Sequence, residues 1–74
     1  SSSHIQSVMF ERSKFTSKSA RDFMKSMNLT RLKRVHKTKN HLRYRVRPPN
    51  ASRYSYTTKK IKPGVKVIIG RNLQ

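Results

Sequence analysis

The clearest periodic pattern in the chain predicts an α-helix over residues 17–27. Apolar side chains recur there at intervals of three and four residues, which places them along one side of a helix. Thr16 precedes the segment as an N-cap, and Asn28 follows it as a residue that tolerates the left-handed conformation at a helix end. The expected buried stripe consists of Ala20, Phe23, Met24 and Met27.

A strand is predicted before this helix, over residues 5–10. Successive side chains of a strand point to opposite faces of its sheet. The pattern therefore places Gln6 on the same face as Val8 and Phe10. Ile5, Ser7 and Met9 are expected on the other face.

The region after the helix predicts a β-hairpin. Residues 32–37 and 41–47 are two strand-like segments, joined by the short loop 38–40. The second segment alternates strictly, so one face would enter the core and the other would carry arginines. The apolar set is Leu42, Tyr44 and Val46, and the polar set is His41, Arg43, Arg45 and Arg47.

The C-terminal third has a weaker pattern. Residues 51–62 are polar and basic, and predict at most a short irregular strand. Pro63 and Gly64 indicate a turn, residues 65–69 predict a β-branched strand, and Gly70 is expected to end it. Residues 71–74 would then be a tail, and residues 1–4 a flexible leader.

These elements predict an α+β fold in the order β-α-β-β-β. One amphipathic helix would pack on a small, mainly antiparallel sheet, and residues 5–70 would form a single small domain. The helix and the sheet would share one apolar interior. The expected core is Val8, Phe10, Ala20, Phe23, Met27, Leu42, Tyr44, Val46 and Val67.

The charge balance of the chain indicates the chemical class of its binding partner. The chain has 74 residues, with 19 Lys and Arg against only two acids, Glu11 and Asp22, and a formal net charge of +17. Such a domain repels itself, so its natural partner is a polyanion or an acidic protein surface, within a larger assembly. There is no cysteine, and no apolar run is long enough to cross a membrane.

The arginines of residues 43–47 are the strongest candidate contact with such a partner. At strand spacing their guanidinium groups lie about 6.6 Å apart, close to the phosphate repeat of one nucleic-acid strand. Arginine also binds carboxylates in a bidentate manner, so both phosphate and carboxylate partners remain open. The expected contact residues are Lys33, Arg34, Lys37, Lys39, Arg43, Arg45, Arg47, Arg53, Lys59 and Lys60.

The composition argues against catalysis and against a bound metal or cofactor. Two unpaired acids, no cysteine and no glycine-rich phosphate loop leave the usual catalytic roles unfilled. His4, His36 and His41 have no cysteine partners and are better explained as hydrogen-bonding residues than as metal ligands.

The tyrosines raise base stacking as an alternative use of the same surface. Tyr54 and Tyr56 could stack on bases, as aromatic residues of single-strand-binding proteins do. Tyr44 alternates with arginines, and it is expected in the core instead.

Residues 37–45, Lys-Thr-Lys-Asn-His-Leu-Arg-Tyr-Arg, carry a family resemblance. With His-Ile-Gln-Ser-Val at residues 4–8 and Gly-Val-Lys-Val-Ile-Ile-Gly at 64–70, the pattern resembles a family of small basic proteins and domains of large eukaryotic DNA viruses and tailed phages. The resemblance covers residues 5–70. Related sequences often carry Trp-Leu where this chain has Phe23 and Met24, and Gln where it has Val46.

The resemblance implies a setting in the virion. The expected function is therefore a non-enzymatic minor structural protein of a virus particle that binds acidic capsid-protein surfaces, with the genome as a second anionic partner. The alternative is a soluble nucleic-acid-binding protein of ribosomal or chromatin-like type, located in the nucleus, nucleoid or ribosome and contacting phosphates.

The charge generates a first testable prediction. Added salt should raise the thermal midpoint of the isolated chain, because ions screen the repulsion among its uncompensated cations. The measurement is a set of melting curves at low and high sodium chloride concentration. A midpoint that falls as salt is added contradicts the prediction.

Overall fold

Strand β1 occupies the centre of a five-stranded antiparallel sheet. The computed structural model describes residues 3–30 and 35–73. The sheet order is β2-β3-β1-β5-β4, and every pairing in it is antiparallel. The elements are β1 Ser3–Glu11, α1 Ser17–Ser26, β2 Val35–Lys37, β3 His41–Arg45, β4 Tyr54–Lys62 and β5 Val65–Asn72. The chain is thus an α+β domain with one helix on an antiparallel sheet, as predicted, but its element order has one strand more than the predicted β-α-β-β-β.

Both ends of α1 are determined by local sequence. The Thr16 hydroxyl accepts a hydrogen bond from the Ser19 backbone N–H, and the Ser19 hydroxyl accepts one from the Thr16 backbone N–H, which makes a capping box. At the other end Asn28 has a φ of 60°. Its N–H donates to Lys25 and the N–H of Leu29 donates to Met24, which is a Schellman motif. The predicted cap and stop are both confirmed.

The core lies between α1 and one face of the sheet. Phe10 is its centre, with ring centroids 5.1 Å from Phe15, 5.6 Å from Phe23 and 5.5 Å from Tyr44. The buried apolar residues are Val8, Phe10, Ala20, Met24, Leu42, Tyr44, Val65 and Val67.

Met27 was predicted as a core residue of the helix, but Met24 occupies the core instead. Met24 is 3% exposed, whereas Met27 is 37% exposed. Met27 is the C-cap residue, so it lies beyond the last turn that packs on the sheet. Phe23 and Val46 are partly buried at the margin of the core, and Val65 is a core residue that the sequence analysis omitted.

A β-bulge in β1 changes the predicted faces of its first residues. The register shifts between Ile5 and Ser7, which leaves Gln6 as the extra residue. Gln6 therefore leaves the face of Val8, and its side chain donates to the Arg47 carbonyl at 2.9 Å. Ile5 pairs with Ile69 and packs against the core. The predicted placement of Ile5 and Gln6 was wrong because alternation fails at a bulge.

The hairpin of β4 and β5 is much longer than predicted. Residues 51–62 contain the nine-residue strand β4, and β5 continues through Gly70 to Asn72. Pro63 and Gly64 form the turn between them, and Gly64 has the positive φ of 83° that the turn requires. The register-setting turn was predicted correctly, but its strands were underestimated because polar and basic residues weaken the strand pattern.

The β2–β3 hairpin matches the prediction where it is described. Val35 to Lys37 pair with Tyr44 to Leu42, and the Thr38 N–H donates to the His41 carbonyl across the predicted loop. The first part of the predicted strand, residues 32–34, lies outside the described residues. Strand β3 ends at Arg45 rather than at residue 47.

The described residues hold a single helix, α1, and it is neither long nor apolar enough to cross a membrane.

The difference in burial between Met24 and Met27 generates a prediction with a built-in control. Met24→Ala should lower the free energy of unfolding by about 2–5 kcal/mol, because it leaves a cavity in the buried interior. Met27→Ala, on the same helix and with the same change in side chain, should lower it by less than about 1 kcal/mol. Urea denaturation of both variants measures the difference, and equal losses contradict this description of the core.

Candidate anion-binding face

The sheet face opposite α1 carries the arginines of β3. Arg43 lies opposite Met9, and Arg45 lies opposite Ser7, both on the side turned away from the buried core. In residues 3–30 and 35–73 no helix covers this face. We call it the open face, and its members include Ser7, Met9, His36, His41, Arg43, Arg45, Thr58, Lys60, Lys66 and Ile68.

Arg43 is held in place by two buried polar side chains. Its Nε donates to Ser7 Oγ at 3.3 Å, and its Nη2 donates to Gln6 Oε1 at 3.4 Å. Ser7 and Gln6 are almost fully buried, so the hydrogen bonds also satisfy groups that water does not reach. The bulge in β1 makes this possible because it turns Gln6 toward Arg43.

Arg45 is half-buried beside Arg43 and is less well satisfied. Its Nε is buried and has no hydrogen-bond partner in the structure. A buried donor without a partner is unfavourable and is uncommon in native proteins. The two hydrogen bonds of Arg43 are long, so the accessible nitrogens of both arginines keep donor capacity that an acceptor could use, whereas the buried Nε of Arg45 itself is out of reach.

The electrostatic environment of the arginine pair is also unfavourable, because two partly buried positive charges lie side by side. Burial lowers the pKa of Arg43, and the neighbouring charge of Arg45 lowers it further. The guanidinium nonetheless stays charged at any physiological pH. Neither arginine has a carboxylate partner, since the one ion pair of the described residues joins Lys18 and Asp22 on α1 at 3.4 Å. The site is therefore a pair of crowded, partly desolvated cations.

The remaining predicted contact residues do not gather into one patch. Lys37 and Lys59 lie on the side of α1, because they pair with Leu42 and Val67. Lys60 lies on the open face opposite Lys66.

Five further predicted contact residues lie outside the strands or outside the described ranges. Lys39 is in the β2–β3 turn, Arg47 is exposed just after β3, and Arg53 precedes β4. Lys33 and Arg34 fall outside the described residues. Positive charge thus surrounds the domain, and only Arg43 and Arg45 combine proximity with burial.

The polar residues beneath the arginines were not predicted from the sequence. Gln6 and Ser7 are the supports of Arg43, and Lys66 adds a cation to the open face. A bulge has no reliable signature in a single sequence, so the turn of Gln6 toward Arg43 was not predictable. The position of Lys66 on the open face could have been predicted from alternation, as that of Arg43 was, because Lys66 lies between Val65 and Val67 in β5.

Two tyrosines form a second aromatic cluster at the end of the open face. The Tyr54 ring is 4.6 Å from the His4 ring and 6.4 Å from the Tyr56 ring, centroid to centroid. The Tyr56 hydroxyl accepts a hydrogen bond from the Asn50 N–H at 2.7 Å. The cluster therefore anchors the connection between β3 and β4. Tyr44 is in the core, as predicted.

Gly70 makes that cluster possible. A Cβ at this position would lie 2.7 Å from a Tyr56 ring carbon and 2.8 Å from a His4 ring carbon, which is closer than real Cβ contacts allow. The prediction that Gly70 ends the strand is therefore wrong. Strand β5 continues past Gly70, and the absence of a side chain there leaves room for two rings over the strand. Burial lowers the pKa of His4, and the positive charge of Arg47 lowers it further, so His4 is neutral in the cluster at neutral pH.

The histidines are dispersed over the sheet. His4 belongs to the aromatic cluster, whereas His36 and His41 belong to β2 and β3. Among the residues that the structure describes, no three His, Asp or Glu side chains come close enough together to hold a metal ion.

Comparison with protein-family models, with curated protein sequences and with solved structures found no match to this chain.

The role of Gly70 can be tested by adding one methyl group. Gly70→Ala should lower the free energy of unfolding by about 1–3 kcal/mol, because both rings must move away from the new Cβ. Gly70→Ala combined with Tyr56→Ser should recover part of the loss, since one obstructing ring is gone. Thermal denaturation of the single and double variants measures this coupling, and an unchanged midpoint for Gly70→Ala contradicts the close packing.

Proposed function

We propose that this chain is a non-enzymatic, strongly basic structural module that binds an acidic partner through Arg43 and Arg45 on the open face. The observation that carries the proposal is the pair of half-buried guanidinium groups without any carboxylate, one of them with a buried and unpartnered Nε. An anionic group would accept hydrogen bonds from the guanidinium nitrogens that remain accessible on these half-buried side chains, and it would neutralise their crowded charge.

The proposed setting is a virus particle. Its support is the sequence resemblance over residues 5–70 to small basic proteins of DNA viruses and tailed phages. In that setting the partner is the acidic surface of a capsid protein, and the genome is a second anionic surface. A domain with +17 charge and a one-sided core gains stability from such an assembly, because binding offsets its self-repulsion.

The non-enzymatic part of the proposal rests on the positions of the two acids. Asp22 is on the exposed side of α1 and pairs with Lys18. Glu11 is at the opposite end of β1 from the bulge and lies across from His41. Neither carboxylate forms an ion pair with Arg43 or Arg45. His36 lies opposite Arg43 on the open face, but in the described residues it has no carboxylate partner, so no paired general acid and base is assembled there.

The second candidate function is binding of nucleic acid. The observation in its favour is that the aromatic cluster shares the open face with the arginines, and that the Arg53 guanidinium lies 5.9 Å from the centroid of the Tyr54 ring. A backbone held by arginines with bases near tyrosines is a common arrangement for single-stranded nucleic acid. The mutual packing of His4, Tyr54 and Tyr56 limits the ring area available for stacking.

Arg45→Ala tests the proposed site directly. Titrations of poly-L-glutamate and of random-sequence duplex DNA against wild type and variant, across a salt series, give affinity and salt dependence. We expect weaker binding of polyglutamate by Arg45→Ala. Because this side chain is half-buried, its loss also removes packing on the open face, so binding is compared at a temperature at which melting curves show both proteins folded. For DNA, loss of one phosphate contact should reduce the salt slope by about one.

Arg21→Ala is the matched control, since it removes the same charge from the exposed side of α1. The control should leave both affinities close to those of wild type. Equal effects of the two substitutions would mean that only net charge matters, and the proposed site would be wrong. Preferential loss of DNA binding would favour the second candidate function.

A further inference from the structure

Strand β4 forms one edge of the sheet and is paired on one side only. It is nine residues long, whereas the described strand at the other edge, β2, has three. Along such an edge, alternate residues direct their backbone N–H and C=O groups outward. Within residues 3–30 and 35–73 no segment pairs with this outer edge, so β4 offers a ladder for another strand.

The side chains of β4 select against a second copy of the same strand. Thr57, Thr58, Lys59 and Lys60 are all exposed, and Lys62 follows them. Two copies of β4 side by side would bring lysines together, which is unfavourable across a strand pair. An acidic strand would instead meet a lysine on each face, because Lys59 lies on the side of α1 and Lys60 on the open face.

A cleft beside β4 adds a second feature that fits acidic side chains. It lies on the side of α1, has a volume of about 350 Å³, and is lined by Ser3, Ser55, Thr57, Lys59, Ile69 and Arg71. Three hydroxyl groups and two cations surround the partly buried Ile69 at its floor. Hydroxyls and cations are the donors that a carboxylate needs.

We propose that the outer edge of β4 accepts an extended acidic segment of a partner protein as a sixth strand. The backbone of the segment pairs with residues 56–60, since the Tyr54 N–H already donates to the Asn50 carbonyl and the bulge between Lys60 and Lys62 interrupts regular pairing at the other end. Side chains of the segment on the α1 side lie over the cleft, where a carboxylate reaches Lys59 and Arg71. Side chains on the other side lie next to Lys60.

This interaction is separate from the proposed function. It uses backbone groups and a different surface, and it requires neither Arg43 nor Arg45. It specifies an extended peptide as partner because only a polypeptide supplies the backbone groups that complete a sheet edge. A nucleic acid could neutralise the lysines, but it could not continue the ladder.

The test uses the full chain and a synthetic nine-residue peptide, Glu-Glu-Thr-Thr-Glu-Glu-Thr-Thr-Glu, which presents glutamates on both faces of an added strand. Amide hydrogen exchange, followed by NMR, should show new protection at every second residue of 56–60 when the peptide is added. A peptide of the same sequence with all backbone nitrogens methylated keeps the charge but cannot form the ladder, and it should give no such pattern.

The double variant Lys59→Gln/Lys60→Gln should bind the peptide about fivefold more weakly, as expected for the loss of two exposed ion pairs. Lys18→Gln/Lys25→Gln removes the same charge from α1 and should bind as wild type does. Circular dichroism verifies that both variants fold, which their exposed positions favour.

Three outcomes would overturn the edge proposal: no binding at low salt, equal binding of the methylated peptide, or protection centred on Arg43 and Arg45. The last outcome, together with loss of binding in Arg45→Ala, would support the proposed function instead. Alternating protection of β4 that Arg45→Ala leaves intact would support the edge proposal even if the proposed function failed.

Discussion

One helix covers one face of a five-stranded sheet, and the rest of the structure depends on how the other face is stabilised. On the covered face, Phe10 joins the helix to the sheet through three ring contacts. On the open face there is no second helix in the described residues, so polar groups do the packing. Gln6 and Ser7 are buried beneath arginine side chains, and the stems of those side chains shield them from water. Because no helix covers the open face, Arg43 both satisfies the buried polar groups of β1 and remains accessible to a partner.

The elements with strong local signals could be predicted from the sequence. The helix had a complete apolar stripe, a capping threonine and an asparagine stop, and its bounds were correct to one residue. The strict alternation of β3 placed Leu42 and Tyr44 inside and Arg43 and Arg45 outside, as the register confirms. These predictions succeeded because helix caps and alternation depend on neighbouring residues only.

The features that could not be predicted depend on residues distant in sequence. Gln6 turns to Arg43 only because β1 bulges against β5, and a single strand contains no sign of its partner's register. Gly70 resembles a strand end, yet it is required within the strand because two rings from β1 and β4 pack over it. The basic residues of β4 obscured its strand pattern in the sequence. The stability of this strand comes from pairing with β5 and not from burial of its own side chains. The candidate site was located by its arginines, but its supports were not.

The excess of positive charge links folding to binding. Arg43 and Arg45 are held side by side by the strand geometry, so their repulsion is part of the free energy of the folded state. An anionic partner that binds only the folded chain stabilises it by about 2.7 kcal/mol at a concentration one hundred times the dissociation constant. That gain is a large fraction of the few kcal/mol that a domain of this size commonly has. Under the proposed function, the groups that weaken the isolated domain are those that make it stable in its assembly. Evolution of such a surface toward neutrality would strengthen the free chain and weaken the complex, which gives a physical reason for so basic a sequence.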